Sequence, residues 1–383
     1  MIINQVQNEF KRLFGGDPLV IASPGRINLI GEHTDYNEGF VLPAAIDKAI
    51  FLGFAKNGTR SCRVYSLDYQ AMDSFSLNEL VPRESGWINF IMGVTAQLLR
   101  AGYPIEGFDC VFGGDIPIGA GLSSSAALEN GVGMGLSELF SLNIPKLELV
   151  HLSQKAEHEF AGVKCGIMDM FASMMGRSGH ALRLDCRSLE FAYFPLSLGA
   201  YELVLLDTRV AHSLGDSAYN TRREECQTGV DTVRAHFPEV SSLRDVTMDM
   251  LQSVRQELSD VVFDRCHYVI SENQRLLNSC KALEAGDLAS FGEAMYASHR
   301  GLSQQYEVSC DELDFLVAYT IDRTEVLGAR MMGGGFGGCT INLIASDRVD
   351  TVLAEISQAY QEAFGIQLKP YRVTISEGTR RIY

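Results

Sequence analysis

Gly113-Gly114-Asp115-Ile116-Pro117-Ile118-Gly119-Ala120-Gly121-Leu122-Ser123-Ser124-Ser125-Ala126 leads from an apolar run, through a loop of small residues, into helical spacing. Gly119, Ala120 and Gly121 leave backbone N–H groups uncovered, and Ser123, Ser124 and Ser125 add three hydroxyls. Apolar residues then recur at Leu128, Val132, Leu136 and Leu139, as a helix requires. A glycine loop opening a helix gathers unpaired N–H groups and the positive end of the macrodipole at one point, a cradle for an anion. Serines beside it suit a phosphate and its metal. The loop is not a Walker A motif, because no Gly-Lys-Ser/Thr occurs in the chain, nor a dinucleotide fingerprint, because Ser124 stands where the third glycine belongs. Read alone, it also fits a Gly/Ser turn before a core helix.

Around the loop, Phe108–Phe112 reads as the strand that feeds it and residues 88–100 as a helix with Phe90, Ile91, Val94 and Leu98 inward. Gly131, Gly133 and Gly135 weaken the following helix, which implies close packing against a neighbour. A further helix spans 146–162, with Leu149, Leu152, Ala156 and Phe160 on one face and Glu157, His158 and Glu159 near its end. The Glu-His pair lacks the second histidine of a zincin. Gly162 stops the helix, and a turn over 163–168 delivers Asp169 among Ile167, Met168, Met170 and Phe171. A charge in such surroundings needs partners or a function.

Nearer the N-terminus, Leu19–Ala22 reads as a short strand running into Ser23-Pro24-Gly25-Arg26-Ile27-Asn28-Leu29-Ile30-Gly31-Glu32-His33-Thr34-Asp35-Tyr36-Asn37, with turns at Pro24-Gly25 and Gly31-Glu32-His33. Glu32, His33 and Asp35 put two carboxylates and an imidazole within four residues, a set suited to sugar hydroxyls. A metal cluster or a solvated polar turn are the other readings of the same residues. Strands are expected at 40–46, 49–55 and 63–66, with a polar connection over 68–78. Strands at 181–185 and 201–207 bracket a looser stretch near 187–199, where a domain boundary is expected. Tyr219–Cys226 and several helices from about 222 to 330 follow. Gly333-Gly334-Gly335-Phe336-Gly337-Gly338 then precedes a strand at 340–344; it matches G-x-G-x-x-G literally, but a Rossmann loop would be followed by a helix.

The 383 residues suffice for two domains. The chain is 46% apolar and 21% charged, with mean hydropathy near zero, the profile of a soluble globular protein. A net charge of −16 argues against nucleic-acid or anionic-membrane partners, and it means that any nucleotide site must create its own positive pocket. Nine cysteines without a C-x-x-C pair read as reduced thiols. Met1–Phe14 reads as an amphipathic helix rather than a signal peptide, and no apolar run approaches the roughly 20 residues of a membrane span. A cytoplasmic protein is expected.

Four of these stretches together resemble the GHMP kinases and, within them, the galactokinases: Pro24–Tyr36 the sugar signature, Pro117–Ala126 the phosphate loop, Cys165–Asp169 the segment of the catalytic aspartate, and Gly333–Gly338 the third motif. The resemblance runs from about residue 8 to 345. It implies an α+β fold of two domains, an N-terminal ribosomal-protein-S5-like unit (1–195) with a left-handed βαβ crossover and a C-terminal ferredoxin-like unit (196–383), with the active site between them. It implies ATP-dependent phosphorylation of D-galactose at the anomeric hydroxyl, by a monomer. Asp169 would be the base and Arg26 its stabiliser. Glu32, His33, Thr34, Asp35, Gly166 and Tyr219 would bind sugar. Ser66, Gly119, Ala120, Gly121, Leu122, Ser123, Ser124 and Ser125 would bind ATP, and Ser125 and Glu157 would hold Mg²⁺. Met170 departs from the family, which commonly carries Gln after the aspartate, and puts sugar preference in question. The same chemistry on N-acetylgalactosamine or another hexose, a non-catalytic sugar sensor and a zinc hydrolase built on the two Glu-His pairs are the competing readings.

Overall fold

The structure, a computed structural model, describes residues 1–117, 119–211 and 215–383; Ile118 of the glycine loop lies outside the described residues. Helix α1 (Ile2–Phe14) is followed by β1 (Leu19–Asn28), β2 (Phe40–Val41), β3 (Pro43–Lys56), β4 (Ser61–Ser66), β5 (Ala71–Ser76), α2 (Ile88–Arg100) and β6 (Phe108–Gly114). Then come α3 (Ser124–Leu139), α4 (Lys146–Ala156), α5 (Met168–Met175), β7 (His180–Asp185) and β8 (Phe191–Pro195). Strands β1, β3, β6, β4 and β5 make one sheet in that order, antiparallel except for the parallel β6–β4 pair. Alternation along β6 divides its side chains between two layers: Val111 packs with Val6 and Phe10 of α1, while Phe108, Cys110 and Phe112 enter the main core. Covered on both faces, β6 reads as a nearly continuous apolar run. Its one charge, Asp109, is buried beneath a two-bond pair with Arg63, both bonds 2.7 Å.

The second unit runs β9 (Tyr201–Ala211), α6 (Gly215–His236), α7 (Met248–Ser253), α8 (Asp260–Ala285), α9 (Leu288–Gln304), α10 (Asp311–Ala318), β10 (Val326–Met332), β11 (Gly337–Ala345), α11 (Val349–Phe364) and β12 (Lys369–Val373). Its antiparallel sheet has the order β10-β11-β9-β12. Counted within the unit and read from β12, that is 4-1-3-2 in a βαββαβ chain, the ferredoxin-like arrangement, with the first crossover enlarged to five helices. The tail then returns to the first sheet, where β13 (Arg380–Arg381) pairs with β1. One core cluster continues through both units, from Ile21 and Leu52 to Leu205, Leu276 and Ile341.

Several local expectations change on folding. Pro24-Gly25 does not turn the chain; β1 continues through it with a register shift between Pro24 and Arg26. A side chain at Gly25 would lie 2.7 Å from the Leu122 carbonyl, so glycine lets β1 press against the phosphate loop. The two strands expected at 40–46 and 49–55 are a two-residue β2 and one long β3. The stretches read as a polar connection and as loose chain contain β5 and β8. Both are edge strands of their sheets, where one side is solvated and the apolar signal is weak. The helix expected over 146–162 is α4 followed by a π turn at Glu157–Ala161. The glycine run before β11 is a strand-to-strand connection, as its reading required.

Candidate active site

Arg26 is brought to the centre by the shift in β1. Its Nε and one terminal nitrogen bond the two carboxylate oxygens of Asp169 at 2.9 and 2.8 Å, and the other nitrogen donates to the Gly121 carbonyl at 2.5 Å. Asp169 stands in the first turn of α5, where the helix dipole favours a carboxylate. Arg26 is nearly buried while the Asp169 side chain keeps 27% exposure, so the carboxylate is the member of the pair that faces a ligand. A cavity of about 840 Å³ opens there, lined by the signature turn, the turn before α5, Tyr219, Asn220, Arg223 and Glu224 of α6 and the 333–336 loop.

On one side lies the glycine loop. Ala120 and Leu122 anchor it in the core, while Gly119 and Gly121 face outward with φ of 78° and 72°. Space beside Gly119 is open, as an anion cradle needs. Ser123, with φ of 58°, precedes α3 and its hydroxyl donates to Asp169, so its side chain serves the carboxylate rather than the loop. Ser124 begins α3. The Ser125 hydroxyl donates to Glu157 at 2.9 Å, and the Cys165 thiol donates to the other oxygen of Glu157 at 3.1 Å. The π turn carries Glu157 to this contact. Burial raises the Glu157 pKa despite both bonds, and nearby Asp169 adds to the rise. A hydroxyl and a carboxylate in contact are hard oxygen donors that fit magnesium held largely by phosphate oxygens. Among the described residues no group of three or more acidic, His or Cys side chains could hold a metal, and His158 is turned to the Cys165 carbonyl at 2.9 Å, so the two Glu-His pairs assemble no zinc site.

On the other side lies the signature turn. Glu32, His33 and Asp35 all line the cavity, with Gly166 and Tyr219 opposite. A side chain on Gly166 would overlap the Asp35 carboxylate, with 1.8 Å between the atoms, so only glycine fits there. Burial raises the Asp35 pKa from 3.8 to about 6, with help from Asp169 and Glu32. Burial lowers that of His33 to about 3, which keeps the imidazole neutral. His33 adopts φ of 62°, unusual for a side chain of its size, and its Nδ1 meets the Tyr36 hydroxyl at 2.9 Å. Its Nε2 is buried and, among the described residues, makes no hydrogen bond of ordinary geometry. Thr34 is turned away: its hydroxyl donates to the Gly31 and Phe40 carbonyls and shapes the turn.

Ser66 is fully buried at the end of β4, where its hydroxyl accepts from the Tyr69 N–H at 3.3 Å. Met170 is fully buried in the core and does not line the cavity, so the departure from Gln is absorbed by packing. Sequence reading missed Asn220, Arg223 and Phe336 in the cavity wall, and Tyr306, whose hydroxyl meets that of Tyr36 at 2.8 Å. A polar residue at helical spacing carries no mark of which pocket it lines; Arg223 was within reach, as a cation three residues from Asn220 in the quoted Tyr219–Cys226 stretch.

Three family models match the chain: the galactokinase galactose-binding signature over residues 8–56, the GHMP kinase N-terminal domain over 89–177 and the GHMP kinase C-terminal domain over 280–362. The galactokinase of Roseiflexus sp. is 41% identical over 379 residues, 99% of this chain and 97% of the relative. That of Thermotoga maritima is 40% identical over 94% of this chain and 99% of its own. The crystal structure of Lactococcus lactis galactokinase complexed with galactose superposes with a TM-score of 0.96 at 35% identity, covering both chains completely. A mevalonate kinase of 17% identity, with a TM-score of 0.69 over 94% of this chain and 99% of its own, shares the fold. With signature, both kinase domains and full-length relatives in agreement, the chain belongs to the galactokinases of the GHMP kinase family.

Proposed function

We propose that this chain transfers the γ-phosphoryl group of ATP to the anomeric hydroxyl of D-galactose, with Asp169 as the base. The observation that carries the reading is the Arg26–Asp169 fork, set where the anion loop meets the cluster of carboxylates and imidazole. Asp169 accepts the proton of the anomeric hydroxyl as that oxygen attacks phosphorus in line. The guanidinium holds both Asp169 oxygens in place and would offset charge growing on the transferring group. Glu32, Asp35 and His33, with Gly166 and Tyr219, orient the sugar; Thr34 holds their turn. Gly119–Ser125 cradle the phosphates, and Ser66 braces the strand beside the nucleotide. Magnesium bound at Ser125 and Glu157 would neutralise phosphate charge.

The reading takes residues 1–195 as the unit of signature and phosphate loop and 196–383 as the unit that closes the cavity, in a monomer of the cytoplasm. Nine unbridged thiols support a reducing compartment. The test is magnesium-dependent ADP release with D-galactose against N-acetylgalactosamine, glucose and no sugar. Release with galactose alone is expected. Preference for another sugar would keep the base and change the substrate, and binding of ATP and galactose without release would make the chain a sensor.

A further inference from the structure

Glu32 is held almost entirely by the second unit. The Tyr268 hydroxyl on α8 donates to its carbonyl at 3.0 Å, the Gly333 N–H beyond β10 donates to its Oε1 at 2.8 Å, and Arg330 on β10 pairs with the same oxygen at 3.1 Å. One residue earlier, the Gly31 N–H donates to Glu272 on α8 at 2.9 Å. Arg330 is fully buried, and it also donates to the Asn28 carbonyl at the end of β1, 2.8 Å away. A guanidinium is placed in a core only at high desolvation cost, which a buried carboxylate partner offsets. Among the described residues, both partners of the Glu32 side chain take Oε1, and Oε2 is left toward the cavity that Glu32 lines.

We infer that Arg330 is a positioning residue of the sugar site: it holds Glu32 aimed at the cavity, and so makes sugar recognition depend on the docking of β10 against the end of β1. The inference rests on the reading of Glu32 as a sugar ligand. Arg330 does not line the cavity, and its hydrogen bond to Asn28 and its ion pair with Glu32 both lie outside the glycine loop, so its loss separates sugar from nucleotide. Arg330→Met removes the charge at similar length; Arg330→Lys keeps the charge but loses the planar group that bonds the Asn28 carbonyl while lying beside Glu32.

Titration calorimetry with D-galactose, and separately with ATP, tests this on the full chain. Arg330→Met is expected to weaken galactose binding about tenfold or more and to leave ATP binding within about twofold, with Arg330→Lys between it and the wild type. In a Glu32→Gln background, where no buried carboxylate needs a counter-charge, the same change is expected to cost less than about threefold. A merely structural role would lower the melting temperature without this dependence on Glu32. Wild-type galactose affinity in whichever Arg330 variant folds, or an equal loss in both backgrounds, overturns the inference. A wild-type chain that binds no galactose is a different result and sinks the functional reading itself.

Discussion

At the scale of single residues, the site works by placing charges where water cannot screen them. Asp169 has its two oxygens matched to the guanidinium of Arg26, and neither can be replaced without leaving the other's charge without its counter-charge. Asp169→Asn is expected to lower kcat by about 10²–10⁴-fold while ATP affinity stays within about twofold, read from steady-state kinetics and ATP titration. An unchanged kcat would remove Asp169 from the chemistry. Asp35 carries the opposite strain. Its pKa rises from 3.8 to about 6 because the fold buries it beside Gly166 and close to Asp169 and Glu32. A carboxyl with a raised folded pKa binds its proton more tightly when folded, so its ionisation costs stability above pH 6, and the cost fades as pH falls toward 4. Asp35→Asn is therefore expected to raise the Tm of the sugar-free protein at about pH 7.5 and to leave it little changed near pH 4.5. Equal melting of the two proteins at the higher pH would contradict this.

At the scale of elements, α3 joins a glycine-rich sequence to close packing. Three glycines in one helix cost about 1 kcal/mol each against alanine. A Cβ on Gly131 would lie 2.4 Å from Leu52, and one on Gly135 would lie 2.2 Å from the ring of Phe54. Phe54 is fully buried and packs edge-on against Phe108 at 5.9 Å, so it has no free volume into which to retreat. Gly135→Ala is thus expected to destabilise by about 1–2 kcal/mol in urea unfolding, since overpacking outweighs the gain in helix propensity. A stabilised variant would show that β3 and α3 can separate at little cost. The same closeness of α3 to the sheet fixes where Ser125, in its first turn, meets Glu157.

At the scale of the whole molecule, the C-terminal tail ties the two units together beneath Asp169. The Thr379 N–H donates to Ser173 and the Gly378 N–H to Gly176, both at 2.8 Å, while Lys146 bonds the Met174 and Thr379 carbonyls at 3.2 and 3.1 Å. These contacts satisfy carbonyls at the C-terminal end of α5, whose N-terminal turn carries Asp169. Deleting residues 374–383 is expected to lower Tm by several degrees and kcat by about tenfold, with sugar KM changed less, because the helix loses its brace and β1 its edge partner. A truncated chain with native kinetics would confine the tail to a passive role.

The local patterns carried the family signature, the anion loop, the helix stops at Gly162 and the strand after Gly338, because each depends on residues adjacent in the chain. Asp169 was legible too, as a charge among apolar neighbours. Other features depend on partners far away in sequence. Pro24-Gly25 reads as a turn until the Leu122 carbonyl is seen to fill the space beside it. Thr34 reads as a ligand until its hydroxyl is found on two backbone carbonyls. Arg330, in an apolar strand, shows its purpose only when β10 lies against Glu32, 298 positions earlier. Motif and composition determined what chemistry this chain could hold. Which oxygens face the cavity and which are spent holding the turn was decided by tertiary packing, since a buried polar atom bonds whatever the fold brings within reach.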